Sequence, residues 1–234
     1  MRNRLPSLLL TLGLVLSILA CQIPSLPIQL PVKLPSVPGA SPTPASTGGL
    51  IFKDDFSDHL SGWTRQAAAE GVMDYDAGGF RIMVKEAQVN FWSTPQKDLG
   101  DVRLEVDEGK LGGPDENRVG LICRYSGDQF YFFLITHDGY YGIGIFSGGQ
   151  APDGRMELIG QAGMLAHPII NQGTNVNHLR ADCTGSTLTL YVNGEQVAQV
   201  QDTRLTHGDV GVLAGAFDQS GVDIIFDDFI ALQP

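Results

Sequence analysis

Apolar residues alternate with polar ones over much of the chain, which is the pattern of β-strands with one buried face. Three segments show it clearly, and their apolar positions are Phe80, Ile82 and Val84, then Val102, Leu104 and Val106, and then Leu188, Leu190 and Val192. The region after residue 49 has no strong helical periodicity. The pattern therefore predicts a series of strands with no helices between them.

Turn signals separate these predicted strands. Asn193-Gly194 stands between YV and EQV, and Asp138-Gly139 stands between FFLITH and YYGIGIF. Asn-Gly and Asp-Gly favour tight hairpins because these residues tolerate positive φ. About a dozen short strands linked in this way predict an all-β fold, an antiparallel sandwich or barrel.

Two segments are apolar on both faces, QFYFFLIT from Gln129 and DIIFDDFIAL from Asp223. Strands of this kind lie in the middle of a sheet and are covered on both sides. We expect one face of each to meet the core. The other face must then meet a loop, a partner chain or a ligand.

The first and last predicted strands have nearly the same sequence, IFKDDF at 51–56 and IIFDDF at 224–229. Strict alternation predicts that Asp227 and Asp228 face opposite sides of the sheet. Both could serve one metal ion only if a bulge or a strand end turned the chain. The simpler expectation is architectural: the two segments pair side by side and close the domain.

The first 20 residues have the features of an export signal. A basic start precedes an apolar run from Leu8 to Ala20, which has the length of a signal peptide. The run ends in Ile-Leu-Ala-Cys21, which resembles the lipobox of bacterial lipoproteins. The resemblance implies cleavage before Cys21, acylation of that cysteine, and anchoring to the outer face of a bacterial membrane, at the cell surface. The alternative is an ordinary secretory signal and a chance cysteine.

Residues 21–49 form a predicted tether. Seven of the chain's 13 prolines lie between Pro24 and Pro44, and proline at this density forbids both helix and sheet ladder. We expect an extended, semi-rigid spacer. The predicted organisation is a lipoprotein signal peptide (1–20), a lipidated cysteine with its Pro-rich tether (21–49), and a β-sandwich domain (50–234).

The domain is acidic. Residues 50–234 carry 12 basic and 26 acidic side chains, a net charge of −14, because the three charged residues before them are all basic. This charge argues against nucleic acid as a partner, since nucleic-acid binding needs a basic face. It also argues against electrostatic docking on anionic lipid. It is typical of a soluble extracellular domain and favours cation binding only weakly.

Two cysteines remain in the domain, Cys123 in VGLICRY and Cys183 in HLRADCT. In an exported protein they form a natural disulfide pair. Neither has a C-x-x-C neighbour, so a zinc site is not expected. The predicted bridge joins two strands that are far apart in the chain, and free buried thiols are the alternative.

Four stretches of the domain stand out in order along the chain: KDDFSDHLSGWTRQ, RVGLICRYSGDQFYFFLITHDGYYGIG, NHLRADCTGSTLTLYVNGEQV and GDVGVLAGAFDQSGVDIIFDDFIAL. Together they resemble the concanavalin A-like (laminin G-like) jelly rolls. The chain is similar to members of this superfamily related to 3-keto-disaccharide hydrolases and to tethered bacterial lipoprotein domains. The resemblance covers residues 50–234 and implies an antiparallel jelly-roll β-sandwich. It does not select a function, because the superfamily holds lectins, glycosidases and adhesins.

Glycosidases of this superfamily resemble one another in an acidic strand, E-x-D-x-E or E-x-D-x-x-E, whose carboxylates share a face. Glu105 and Asp107 match this spacing, but the third position is Gly109 or Lys110. Glu108 is expected to face the other side of the strand. The chain has no G-x-S-x-G or H-E-x-x-H motif, and its five histidines are scattered and expected mainly on the surface. The sequence therefore disfavours catalysis but leaves a glycan-processing hydrolase as an alternative.

Sugar binding requires an aromatic platform and hydrogen-bonding side chains, which the concave face of a jelly-roll sheet can supply. The candidates are Trp92, Arg124, Tyr131, His137, Tyr140 and Tyr141. Gly142 and Gly144 share the Tyr140 face and are expected to leave a shallow floor beside it. For each aromatic the alternative is packing in the core. A surface-displayed carbohydrate-binding module is the main hypothesis, and a structural or protein-interaction domain of the cell envelope is the alternative.

A structural calcium ion is a further hypothesis, because jelly rolls of this kind often hold one where the first and last strands meet. Calcium prefers clustered carboxylate and carbonyl oxygens. The available carboxylates are Asp54, Asp55, Asp58, Asp227 and Asp228. The alternative is that these acids only keep an edge strand soluble. No other cofactor is indicated.

Overall fold

A computed structural model describes residues 48–148 and 154–234. The predicted signal peptide, Cys21 and all but the last two residues of the tether lie outside the described residues. The strands are β1 (Leu50–Asp54), β2 (Gln66–Ala67), β3 (Gly71–Asp76), β4 (Gly79–Val84), β5 (Asn90–Ser93), β6 (Val102–Gly112), β7 (Asn117–Ser126), β8 (Gln129–Ile135), β9 (Tyr140–Ser147), β10 (Arg155–Leu158), β11 (Leu165–Ala166), β12 (Asn177–Thr184), β13 (Thr187–Val192), β14 (Glu195–Gln201), β15 (Asp209–Ala216) and β16 (Val222–Leu232). No described residue belongs to a helix that could cross a membrane.

These strands form two sheets in which neighbouring strands run antiparallel. The nine-stranded sheet has the order β14-β13-β12-β6-β16-β4-β3-β2, and β1 pairs with β16. The seven-stranded sheet has the order β10-β9-β8-β7-β15-β5, and β11 pairs with β9. The sheets pack face to face as an all-β, antiparallel jelly-roll sandwich, which confirms the predicted fold class. The face of each sheet turned away from the other sheet is called its outer face below.

The predicted alternation is confirmed in β4, β6 and β13. Their buried, core-facing residues are Phe80, Ile82 and Val84, then Val102, Leu104 and Val106, and then Leu188, Leu190 and Val192. The β13–β14 hairpin turns at Asn193 and Gly194, whose φ values are 52° and 86°. Positive φ at both central residues is the requirement that the Asn-Gly signal indicated.

The first and last strands pair as predicted. The register of β1 against β16 places Lys53 opposite Ile230 and Asp54 opposite Phe229. Because β4 pairs with the first half of β16 and β1 with the second half, the last strand is covered along its length on that edge. The two similar segments therefore lie side by side in the nine-stranded sheet, as the sequence predicted.

The prediction that Asp227 and Asp228 alternate strictly is wrong, because β16 contains a β-bulge. Asp228 has a φ of 51°, and the register of β16 with β6 shifts between Asp227 and Ile230. The extra residue lets both Phe226 and Phe229 turn into the core, where each is fully buried. Asp227 is partly exposed and Asp228 exposed, so neither lies in the core.

The main core lies between the sheets, and one disulfide crosses it. Cys123 of β7 in the seven-stranded sheet is bonded to Cys183 of β12 in the nine-stranded sheet, 60 residues further along the chain. The predicted pairing is confirmed. In the chain-entropy account, closing a loop of this length stabilises the fold by about 4 kcal/mol.

A second apolar cluster lies on the outer face of the seven-stranded sheet. Its buried members are Ile122, Phe130, Phe132, Leu134, Phe146 and Leu213. Partly buried side chains pack against them, and these are Trp92, Tyr125, Met156, Leu158 and Met164. The sequence left open whether a loop, a partner chain or a ligand meets the second apolar face of β8. In the structure that face is covered largely by the protein's own side chains.

Candidate functional site

The structure separates the six sugar-binding candidates by exposure. It buries four of them, Arg124, Tyr131, His137 and Tyr141. Trp92 is partly exposed, and Tyr140 is 42 % exposed. The sugar-binding hypothesis therefore narrows to the surroundings of Trp92 and Tyr140.

Arg124 is buried because β7 is irregular at this point. Its φ is 55°, and its guanidinium turns inward, with only 1 % of the side chain exposed. One terminal nitrogen donates to the backbone oxygens of Gly185 and Leu205, each at 2.8 Å, and the other donates to Asp101 at 3.1 Å. Arg124 thus ties three connecting segments to the sheet, and its charge is hydrogen-bonded inside the protein.

Tyr131 carries its hydroxyl to the edge of the core. The hydroxyl donates to Asp202 Oδ1 at 2.6 Å and accepts from the Leu205 backbone N–H at 2.9 Å. Burial and the bond to Asp202 raise the pKa of Tyr131 to about 12. The side chain is therefore a neutral structural donor.

His137 belongs to a fully buried polar group that connects the two sheets. Its Nε2 lies 3.2 Å from Glu108 Oε2, and its Nδ1 lies 3.1 Å from Asn117 Oδ1. Asn177 donates to the other Glu108 oxygen at 3.0 Å. His137 is an exception to the expectation that most histidines lie on the surface, because its ring lies inside the sandwich beside the buried Glu108 carboxylate of β6.

The outer face of the nine-stranded sheet carries the incomplete acidic motif. Glu105 and Asp107 point outward and Glu108 inward, as alternation predicted. His178 of β12 lies opposite Asp107, with Nδ1 2.7 Å from Asp107 Oδ1 and Nε2 3.7 Å from Glu105 Oε2. The two carboxylates outweigh the opposing effect of burial and raise the pKa of His178 to about 9, and the His178 hydrogen bond lowers the pKa of Glu105.

A third carboxylate completes this row from the neighbouring strand. Asp227 of β16 lies opposite Asp107 of β6. Burial, and then the negative charges of Asp228, Asp107 and Asp55, raise the pKa of Asp227. The same face therefore holds one carboxylate that ionises more readily than usual and one that ionises less readily.

A hollow of about 310 Å³ opens beside Trp92, where the edge strands β2 and β5 of the two sheets approach each other. Its lining includes Trp92 and Tyr125, the amides of Gln66 and Asn90, and the carboxylate of Glu70. The Trp92 ring packs against Phe130 and Phe146, with centroid distances of 5.1 and 5.2 Å. This hollow, the Trp92 hollow, combines fixed aromatic surface with amide and carboxylate groups.

Asn90 is oriented by an arginine two strands away. Arg118 of β7 donates to Asn90 Oδ1 at 3.2 Å and to the Ala216 backbone oxygen at 2.6 Å. The guanidinium lies over the Phe217 ring at 3.7 Å, and burial lowers its pKa to about 10. Because Asn90 Oδ1 is occupied, the Asn90 amide offers its N–H donors to the hollow.

A second hollow of about 360 Å³ lies beside Tyr140. Its lining includes Tyr140, Phe217, Thr136, Asp138 and Glu116. This is called the Tyr140 hollow.

The expected shallow floor at Gly142 and Gly144 is wrong, because other side chains fill it. A Cβ at Gly142 would lie 2.7 Å from Leu158, and one at Gly144 would lie 2.2 Å from the Phe132 ring. The open space is therefore displaced to the other side of Tyr140, towards Phe217.

A third hollow, of about 550 Å³, lies where β1 meets β16 and is lined by Asp54, Asp55, Asp58 and Asp228. Asp54 is already engaged, since it accepts from the Phe56 N–H at 2.8 Å and from Trp63 Nε1 at 2.9 Å. Within the described parts of the chain, no three Asp, Glu, His or Cys side chains converge as a metal site. The calcium hypothesis stays a prediction.

Solved structures similar to this chain share its jelly-roll sandwich. They include the carbohydrate-binding module CBM66 from Bacillus subtilis, with 14 % identity, a TM-score of 0.55, and coverage of 73 % of this chain and 95 % of that one. A Bacillus subtilis protein of unknown function with a galectin-like fold has 12 % identity, a TM-score of 0.58, and coverage of 80 % and 96 %. A family 16 glycoside hydrolase from a Bacteroides ovatus mixed-linkage glucan locus has 12 % identity, a TM-score of 0.54, and coverage of 78 % and 100 %. At these identities the likeness shows the fold alone.

No protein-family model and no curated protein matches the sequence.

Sequence reasoning missed most of the residues that line or support the two hollows. Those not identified include Gln66, Glu70, Asn90, Glu116, Arg118, Tyr125, Thr136, Asp138 and Phe217. Alternation places Asn90 on the same face as Trp92, and this was the available signal. The remaining residues come from separate strands and loops, so no local pattern could bring them together.

Proposed function

We propose that this protein binds carbohydrate and that the Trp92 hollow is its primary site. The observation that carries the proposal is the composition of this hollow: aromatic rings beside two amides and a carboxylate. Aromatic faces pack on the apolar face of a sugar ring, while amides and carboxylates bond its hydroxyls. The volume is at the small end for ligand pockets, which suits one end or one unit of a glycan.

The likeness to a carbohydrate-binding module and to a glycan-degrading enzyme supports a glycan as the ligand class. We further propose that the domain is exported and displayed on the cell surface by acylation of Cys21. Incorporation of a labelled fatty acid tests this anchor. Label that is retained when Cys21→Ala replaces the native residue would rule it out.

The binding test begins with a glycan array, followed by calorimetry on the strongest ligand. We expect Trp92→Ala to weaken binding by about 30-fold or more, the effect of losing a central aromatic contact worth about 2 kcal/mol. Asn90→Ala should weaken binding less. The matched control is Tyr191→Ala, which removes a partly exposed ring from the outer face of the other sheet.

Circular dichroism and thermal melting must show that each variant is folded, since Trp92 also packs on Phe130. If Tyr191→Ala abolished binding and Trp92→Ala left it unchanged, the site would be misplaced. An array on which no glycan binds, together with capture of an envelope protein, would favour the alternative of a structural or protein-interaction domain.

Glycan hydrolysis is the second candidate, and one observation favours it. Asp227 and Glu105 lie on one face with their pKa values moved in opposite directions, which is the condition for dividing acid and base roles between two carboxylates. If the protein hydrolyses glycans, it should release reducing sugar, and Glu105→Gln should abolish this release. Unchanged release in Glu105→Gln would exclude it.

A further inference from the structure

Trp92 and Tyr140, one from each hollow, both lie on the outer face of the seven-stranded sheet. Asn90 lies on this face because it is two residues before Trp92 in β5. It pairs with Gly215 of β15, and Gly215 pairs in turn with Arg118 of β7. One transverse row of residues therefore runs from the Trp92 hollow into the middle of the sheet.

The row continues to the second hollow. Thr136 directly follows β8, next to Arg118 across the sheet, and its backbone N–H donates to the Tyr140 carbonyl at 2.8 Å. Crossing from β5 to β9 takes four strand spacings of about 4.8 Å, a span of about 19 Å. The hollows are thus two ends of one path across the strands.

Gly215 and Arg118 connect the two ends of this row. Gly215 has no side chain, and a Cβ there would come within 2.0 Å of Asn90 Oδ1, so this position keeps Arg118 in reach of Asn90. Arg118 is held flat against Phe217. Phe217 also lines the Tyr140 hollow, and Arg118 binds Asn90, which lines the Trp92 hollow. The arginine and its aromatic partner therefore lie between the two hollows.

We infer that the two hollows are subsites for a single extended glycan, which crosses the strands from Trp92 to Tyr140 over Arg118. This inference rests on the proposed function and goes beyond it by assigning a second subsite and a ligand class. Each end provides an aromatic ring, a carboxylate and a further polar group: Trp92 with Glu70 and Asn90, and Tyr140 with Asp138 and Thr136.

The charges around the two hollows favour an uncharged polysaccharide as the ligand. Glu70 lies in one hollow, Glu116 and Asp138 lie in the other, and the domain as a whole is acidic. Arg118, the cation between the hollows, is already engaged with Asn90 Oδ1 and the Ala216 carbonyl. A uronate or sulfated glycan would therefore meet repulsion at both ends, whereas a neutral polysaccharide would not.

Calorimetry with the intact protein and a length series of one neutral oligosaccharide, from one unit to six, tests the inference. We expect affinity to rise by at least about tenfold once the ligand spans both hollows, because the second contact is then intramolecular. Tyr140→Ala should cancel this gain and leave the affinity for the shortest bound ligand unchanged. Trp92→Ala should weaken binding at every length, and Tyr191→Ala at none.

The outcomes separate this inference from the proposed function. The second subsite would be overturned if affinity did not depend on ligand length, or if Tyr140→Ala bound ligands of every length as tightly as the native protein does. In either case, binding of short ligands would still support the Trp92 hollow as the first subsite. Absence of binding to any neutral glycan would overturn both. A polyuronate bound as tightly as a neutral chain of equal length would refute the ligand class.

Discussion

Raising the pH is expected to remove a stabilising cation from the outer face of the nine-stranded sheet. The His178 imidazole lies between Asp107 and Glu105, and its pKa is raised from an ordinary value of 6.5 to about 9. The folded protein therefore holds this proton more tightly than the unfolded chain does. The resulting stability is fully present below pH 6.5 and is lost as the pH rises through 9.

The magnitude follows from the size of the shift. Each pKa unit corresponds to about 1.4 kcal/mol, so a rise from 6.5 to about 9 gives about 3 kcal/mol. The variant His178→Gln keeps a hydrogen-bond donor near Asp107 but cannot carry the charge. We expect the native protein to lose about 3 kcal/mol relative to this variant between pH 6 and pH 9.5.

Urea denaturation of both proteins across this range measures the difference, and NMR of the imidazole gives the titration midpoint directly. Comparison with the variant cancels the titration of the groups that do not contact His178. A double variant, Glu105→Gln with Asp107→Asn, should return the midpoint towards its ordinary value. Parallel stability curves for the native protein and His178→Gln, or a native midpoint near pH 6.5, would refute the reasoning.

Four further outcomes concern stability. Glu108→Ala removes the acceptor of the buried Asn177 amide and the carboxylate beside His137, and we expect a loss of about 1–3 kcal/mol in urea denaturation; a loss under about 0.5 kcal/mol would show that the group is not buried as described. Replacing both Cys123 and Cys183 by serine should cost about 4 kcal/mol by the same measurement, and an unchanged midpoint would mean that the bridge does not form. Asp228→Asn keeps a residue type that tolerates positive φ and relieves repulsion, so stability should rise by up to about 0.5 kcal/mol. If the hollow between β1 and β16 holds calcium, adding calcium should raise the melting temperature of the native protein more than that of Asp228→Asn. Equal increases in the two proteins, or no increase in either, would reject the metal hypothesis.

Much of the fold could be predicted because its determinants are local. Period-two alternation in β4, β6 and β13 identified the buried faces, and Asn193-Gly194 identified a hairpin through its backbone requirement alone. The similar first and last segments were expected to pair, and they do. These features depend on residues that are close in sequence or on the need of a strand to bury one face.

The candidate site could be predicted only in part. Trp92 and Tyr140 were identified as aromatics on strands, but so was Tyr131, which lies in the core. Alternation along a strand shows which residues share a face, but it does not show which of the two faces is covered. It therefore cannot distinguish an aromatic residue that faces the core from one that faces solvent. For β8, both faces were apolar, and only the arrangement of neighbouring strands decided that its outer face lies under Trp92 and Met164.

The sequence by itself determined that this is an acidic all-β domain, with two cysteines placed to bridge distant strands and first and last strands that close it. The tertiary structure alone decided the sites. Long-range pairing placed Arg118 next to Gly215 and Asn90, brought His178 to Asp107, and buried Glu108 against His137. A single extra residue at the bulge turned both aspartates of IIFDDF away from the core. Strand order and register set these contacts, and they depend on the packing of the whole sandwich rather than on any one segment.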